Sequence, residues 1–235
     1  MKSTLKGLSD LVYRKRDTYE VLDETQYLKS FGIVKNKKGK YKAKDRALLE
    51  KAYERAWANR DFEINKFWTR AAYFWGFIVL IFGGLITLLT SEHNESTVNL
   101  RLDLYLVALG LIFSLAWYLV ILGSKSWQEN WEAHIDHLEN FVSGPIYKTI
   151  HYKGKRFYSV SKINEILALL VIIMWLALFI QYYIQNFDFT MEITSIDIQA
   201  SLTFVITVIF SFSLRFGYSL GRYKAKKSGF LNRWS

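Results

Sequence analysis

The sequence predicts an all-α polytopic membrane protein, with four transmembrane helices, cytoplasmic helical extensions and one small β-hairpin. Four long uncharged apolar runs predict the spans, and the hydrophilic stretches between them alternate in charge. A helix crosses a hydrocarbon core with about 20 apolar residues, and it satisfies its own backbone hydrogen bonds in lipid. The runs are Ala71–Thr90, Leu104–Leu122, Ile166–Ile184 and Ala200–Leu214, the fourth continuing past Arg215 to Leu220.

The charges between the runs predict the orientation. Residues 1–70 hold 18 Lys and Arg against 10 Asp and Glu, and the tail from Arg215 has six basic residues and no acidic one. Residues 185–199 hold three acidic residues and no basic one. Cytoplasmic segments are enriched in Lys and Arg. We therefore predict that both termini and the middle segment lie inside, which is an N-in, C-in topology.

Five regions follow from this topology. They are a cytoplasmic N-terminal helical region 1–70, a transmembrane hairpin 71–122, a cytoplasmic helix plus β-hairpin 123–165, a second transmembrane hairpin 166–220 and a basic cytoplasmic tail 221–235. No Gly or Pro interrupts the chain between Asp45 and Trp75, which predicts one helix running into the first span. The second span is predicted to continue until Gly144-Pro145 stops it.

The residues after Pro145 predict the β-hairpin. Two short runs rich in aromatic and β-branched residues, 146–152 and 156–160, flank a turn at Lys153-Gly154-Lys155. Ser161 is predicted to cap the helix that becomes the third span.

Composition limits the partners and the chemistry. The chain has a net charge of +10, and nearly all of the excess lies beside predicted spans, where anionic lipid of the inner leaflet is the nearest partner. Nucleic acid is disfavoured for the same reason. The chain has no cysteine, which excludes disulfides, thiolate metal sites and cysteine nucleophiles.

Two motifs favour packing over chemistry. Residues 217–221 match G-x-S-x-G, but they end a membrane helix and every histidine lies upstream, so Gly217 and Gly221 are better interpreted as a helix-packing G-x-x-x-G. His134 and His137 have the spacing of two ligands on one helix face. A solvated polar face opposite Trp127 and Trp131 is the favoured alternative. We predict no catalytic residue, cofactor or metal site.

The fourth run carries a polar stripe formed by Thr203, Thr207, Ser211 and Arg215 at four-residue spacing. Such a stripe can line a water path through the membrane. Hydroxyls bonded to helix backbone, with Arg215 reaching the headgroups, are the favoured alternative.

The aromatic residues beside the first two spans predict contacts between subunits or domains. These side chains form apolar rows larger than one small hairpin can cover, and self-association buries the remainder. The predicted contact residues are Trp57, Phe67, Trp68, Trp127, Trp131, Gly217 and Gly221.

Four stretches give the chain a family resemblance. They are Arg60–Trp75, Gly123–Asp136, Gly144–Thr149 and Tyr158–Asn164. In these residues the chain resembles the RipA family of octameric bacterial membrane proteins. The resemblance implies a bacterial inner-membrane protein that assembles as a ring-like homo-oligomer, and it supplies no catalytic residue.

The function expected from these observations is that of a non-enzymatic, homo-oligomeric inner-membrane protein whose cytoplasmic domain senses or binds a partner. The alternative is a gated membrane-perturbing or channel-forming effector in phage defence or stress response. A third hypothesis, an enzyme acting on lipid, needs His134 and His137 beside acidic residues at the headgroups.

Overall fold

The computed structural model describes residues 21–34, 41–90, 101–151, 154, 158–186, 197–217 and 229–230. These residues form five α-helices and no strand. The helices are α1 (Glu24–Ser30), α2 (Ala43–Thr90), α3 (Leu102–Val142), α4 (Val160–Asn186) and α5 (Ile198–Phe212), and a π-helical turn (Ser213–Gly217) continues α5. Four stretches are long and apolar enough to cross a membrane: Ala43–Thr90, Leu102–Val142, Val160–Gln185 and Ile198–Phe216.

Helices α2 and α3 are much longer than a bilayer requires. At 48 and 41 residues, they measure about 72 Å and about 60 Å, whereas a hydrocarbon core is about 30 Å thick. The prediction that each of the first two spans continues as one helix is confirmed. Helix α2 has no Gly or Pro before its span, and α3 ends two residues before Gly144, whose φ of +77° an L side chain rarely adopts.

The chain divides into two compact units, which are described separately. Unit 2 comprises Trp57–Ala133 and Ile150–Arg215, and it contains the apolar runs. Its most enclosed helix is α3. Within the apolar stretch of α3, 39% of the residues are buried, against 17% or 22% in the corresponding stretches of the other three helices. Most of the apolar side chains on α2, α4 and α5 therefore face outward, as expected for helices that meet lipid or another subunit.

Tryptophans fill the two cores of unit 2. Trp175 is fully buried, lies over Gly110 and packs against Phe82 in a tilted arrangement with ring centroids 4.2 Å apart. Trp117 is buried beside Ile121 in the second core, where the edge of the Trp75 ring approaches it. In a protein surrounded by water, fully burying one large apolar side chain stabilises the fold by roughly 2–3 kcal/mol. In lipid the same contacts act through close packing.

Unit 1 takes its described residues from 21–56, 134–149, 216–217 and 229–230. Its apolar core combines Tyr27 and Leu28 of α1 with Leu49 of α2 and Leu138 of α3. The side chain of Ser143 donates a hydrogen bond to the Tyr53 hydroxyl at 3.2 Å. Unit 1 is thus a small folded body assembled from segments that are distant in sequence.

The stretch predicted as a β-hairpin has another conformation where it is described. Residues 145–148 form a turn, and residues 149–151 and 158–159 form no strand. Residues 152–153 and 155–157, which include most of the predicted turn, lie outside the described residues. The cap predicted at Ser161 is wrong, because α4 begins at Val160 and the Ser159 hydroxyl accepts a hydrogen bond from the Lys162 N–H at 3.3 Å.

Candidate functional site

Unit 1 contains a group of four rings from three distant parts of the chain, which we name the histidine cluster: Tyr27, His134, His137 and Phe230. The Tyr27 ring lies 4.4 Å from the His137 ring and 4.7 Å from the Phe230 ring, measured between centroids. Phe230 lies 4.6 Å from His134 and 5.4 Å from His137. Tyr27 also lies 5.7 Å from His134, so Tyr27 and Phe230 each contact both histidines.

Hydrogen bonds hold the histidine cluster together. The Tyr27 hydroxyl and His134 Nδ1 form a hydrogen bond of 2.8 Å, and the Leu22 N–H donates to the Phe230 carbonyl at 2.8 Å. Asp23 begins α1 with a capping box that includes Gln26, a feature that contributes about 1 kcal/mol. The backbone around residue 230 is therefore bound to the segment that leads into α1.

Burial sets the electrostatics of the cluster. It lowers the pKa of His134, and the neighbouring His137 adds to that effect by charge repulsion. Burial also lowers the pKa of His137, while Glu24 opposes this shift and Lys148 adds to it. Burial raises the pKa of Tyr27 well above its ordinary value. The neutral form of each of these three side chains is favoured, because a charge there loses hydration.

The prediction of a solvated polar face for the two histidines is wrong. Both are partly buried in unit 1, and among the described residues His137 Nε2 is buried without a hydrogen-bond partner. Sequence reasoning missed Tyr27 and Phe230, which pack against the histidines. The D-x-x-Q capping signal at Asp23 marked the start of α1, but nothing in the sequence indicated which helix it would meet.

A buried carboxylate lies further along α3 in the same unit. Glu139 is fully buried and accepts hydrogen bonds from the backbone N–H groups of Tyr147 at 2.7 Å and Lys148 at 3.3 Å. The Lys148 ammonium lies 3.8 Å from the same carboxylate. Glu139 therefore holds the turn after α3. In the part of the chain that the structure describes, no three His, Cys, Asp or Glu side chains could hold a metal ion together.

The predicted aromatic contact residues fall into three groups by exposure in the structure. Phe67 is 7% exposed, because it lies in a core of unit 2. Trp68 and Trp127 are 49% and 45% exposed. Trp57 and Trp131 are half-buried, and the Arg60 guanidinium lies 5.4 Å from the Trp57 ring centroid.

The polar stripe of the fourth span is partly enclosed within one chain. Thr203 and Thr207 are buried, and their hydroxyls donate to the carbonyls of Gln199 at 2.8 Å and of Thr203 at 2.7 Å. Ser211 is half-buried and Arg215 is exposed. Gly217 ends the π-helical turn, and Gly221 lies outside the described residues.

Comparison with known families identifies the family of this chain. The Octameric membrane protein family has a model that matches residues 50–184, which is more than half of the sequence. The chain belongs to this family. No curated protein and no solved structure matches it. Together with the four candidate spans, family membership makes the protein a multi-pass, homo-oligomeric membrane protein. The octameric family that the sequence resembled is confirmed, without the narrower name RipA.

Proposed function

We propose that the protein is a non-enzymatic bacterial inner-membrane protein whose copies form a closed ring and carry unit 1 as a cytoplasmic sensing or partner-binding domain. The observation that carries this proposal is unit 1 itself. Segments separated in sequence by the four spans fold around one core there, and a tail or linker has no need of such a core. A folded body repeated around a ring offers one binding surface per subunit.

The orientation is supported by the positive charge of residues 1–70 and of the tail from Arg215. Because the chain has no cysteine, single cysteines introduced at Val34 and, in another variant, at Ser96 report on sidedness without further changes. In intact cells, a membrane-impermeant maleimide should label Ser96→Cys and leave Val34→Cys unlabelled until the inner membrane is opened. The reverse pattern would contradict the N-in topology.

The exposure of Trp68 and Trp127 supports a role for them in contacts between subunits, because about half of each residue is exposed in the single subunit. Large aromatic side chains are enriched at the cores of protein interfaces. Phe67 is proposed to stabilise the subunit itself. Anionic lipid is proposed to surround the basic segments next to the spans, where each Lys or Arg gains about 1 kcal/mol near a charged leaflet.

Exposed apolar side chains of unit 1 support partner binding. Val34 and Ile146 are 66% and 72% exposed. A photo-reactive amino acid at either position should yield one discrete heterologous adduct in cells at neutral pH. The matched control is the same residue at Leu80, which is equally exposed within the first span and should yield lipid or self adducts only. Self adducts alone at Val34 and Ile146 would contradict a partner-binding domain.

The effector alternative has less support in the fourth span. Thr203 and Thr207 are buried within one subunit and bonded to their own helix, so they offer little polar surface to a central axis. Purified protein in vesicles should therefore release no more of a small dye than vesicles alone. Specific release that Thr203→Val abolishes would favour the channel-forming effector.

A further inference from the structure

We infer that the histidine cluster is a pH-operated latch, which holds the segment at Gly229–Phe230 against α1 while His134 and His137 are neutral and releases it when they are protonated. This inference deepens the proposed sensing role of unit 1, because it names protons as the signal. The observation that carries it is the position of Phe230, which packs on both imidazoles and on Tyr27.

The segment at Gly229–Phe230 has two further attachments near the start of α1. The Phe230 carbonyl accepts from the Leu22 N–H, and Gly229 lies so close to Val21 that a side chain at position 229 would overlap it. Phe230 also packs against the apolar core of unit 1, so the ring contacts to the histidines act together with that core in holding the segment.

The charged groups around the imidazoles favour release on protonation. Helix α1 presents Glu24, an acid that favours a charged His137, and α3 places the two histidines near each other. The turn after α3 presents Lys148, which repels a charged His137. Asp136 lies between the histidines in sequence and has interactions of its own. Gly229 and Phe230 carry no charge, so an imidazolium in the cluster meets apolar rings, the Lys148 ammonium and the other imidazolium, and Glu24 offsets only part of this at His137.

The direction of the pH effect follows from the lowered pKa of each histidine in the folded protein. The unfolded chain binds protons at the ordinary histidine pKa of about 6.5, before the folded cluster does. The stability that the neutral cluster contributes is therefore complete above about pH 7.5 and is lost as the pH falls through 6.5 toward the lowered values. The Tyr27–His134 hydrogen bond survives protonation, with the Nδ1–H of the imidazolium donating to the tyrosine oxygen, so the loss comes from burying charge.

Hydrogen–deuterium exchange of the full-length protein in nanodiscs tests the latch. The probe is the Leu22 amide, together with peptides that contain Phe230, compared at about pH 8 and about pH 5.5 after correction for intrinsic exchange. At about pH 5.5, one unit below the ordinary histidine pKa of about 6.5, each histidine that stays neutral in the closed latch shifts the opening equilibrium by up to about tenfold. We expect protection of the Leu22 amide to fall about tenfold or more at the lower pH.

Variants separate the latch from general acid sensitivity. His134→Gln with His137→Gln should keep protection within about twofold across this pH range, since neither side chain titrates. His151→Gln, at an exposed histidine, should respond like the wild type. If the double variant does not assemble, Val21→Cys with Gly229→Cys replaces it. A Cβ at position 229 lies 3.5 Å from the Val21 Cβ, within the disulfide range, so the oxidised form should lose the response and the reduced form should keep it.

Two results would overturn the latch: wild-type protection that is equal at both pH values, or a pH response that persists in the double glutamine variant or in the oxidised disulfide variant. Both measurements use purified protein without a partner. Cross-linking at Val34 and Ile146 is done in cells at neutral pH. If the latch test fails and a specific cross-link forms, the partner-binding function still stands. If the latch responds to pH and no specific cross-link forms, the protein is a proton sensor that lacks a bound partner.

Discussion

At the scale of single residues, Gly110 shows how closely the spans pack. A side-chain carbon there would overlap the fully buried Trp175 ring. We predict that Gly110→Ala lowers the melting temperature in detergent, because overpacking costs about 1–3 kcal/mol and offsets the roughly 1 kcal/mol that alanine adds to helix propensity. Gly123→Ala on the same helix is the control, since nothing lies within 4 Å of its added carbon. Equal melting of both variants would contradict this packing.

Outside the spans, the burial and partners of individual side chains were harder to predict than the helices that carry them. The sequence pattern of α3 predicted a solvated polar face for His134 and His137, and it indicated no partner for the nearby Glu139. That pattern describes one helix alone, whereas Tyr27, Phe230 and the turn at Tyr147 arrive from other parts of the chain to cover this face. Burial of a polar side chain depends on such long-range partners, which a single sequence does not show.

At the scale of helices, the long elements were predictable because their signals are local. An uncharged run of about 20 residues sets each span, and the absence of Gly and Pro between Asp45 and Trp75 sets the extension of α2. The end of α3 is marked by Gly144, whose backbone requires a positive φ. The hairpin prediction depended on a short aromatic segment, and short segments take their conformation from what they pack against.

An ion pair joins the start of α3 to the start of α5. Arg101 Nη2 lies 2.6 Å from Asp197 Oδ2, and Arg101 Nη1 donates to the Tyr182 hydroxyl at 3.0 Å. Asp197 Oδ1 also accepts from the Ala200 N–H at 3.0 Å and so caps α5. One carboxylate therefore serves a helix end and a contact between helices.

The two roles of Asp197 can be separated by substitution. Asp197→Asn keeps a good cap and removes the charge, so it should cost at most about 1 kcal/mol for a partly exposed pair. Asp197→Ala removes both and should cost about 1 kcal/mol more. Chemical or thermal unfolding in detergent measures the difference. If both variants melted together, the cap would contribute nothing to α5.

At the scale of the whole molecule, the sequence predicts how many times the chain crosses the membrane better than it predicts which surfaces meet. Apolar side chains of a span look alike in sequence whether they face lipid, a neighbouring helix or another subunit. The structure distinguishes the buried faces from the outward ones, and family membership adds that copies of the chain assemble. Among the predicted contact residues, Phe67 therefore moves into the subunit core, while Trp68 and Trp127 keep their exposed surface.

Assembly of the octamer tests this distinction. We predict that Trp68→Ala with Trp127→Ala reduces the full-size particle about tenfold in native mass spectrometry at limiting protein concentration, since a central tryptophan contributes about 2 kcal/mol or more to an interface. Tyr158→Ala, at an aromatic residue 79% exposed and outside the predicted contacts, should leave the particle intact. Phe67→Ala should instead lower the melting temperature of the subunit by creating a cavity. An unchanged particle in the double tryptophan variant would place the subunit contacts on other outward faces of the spans.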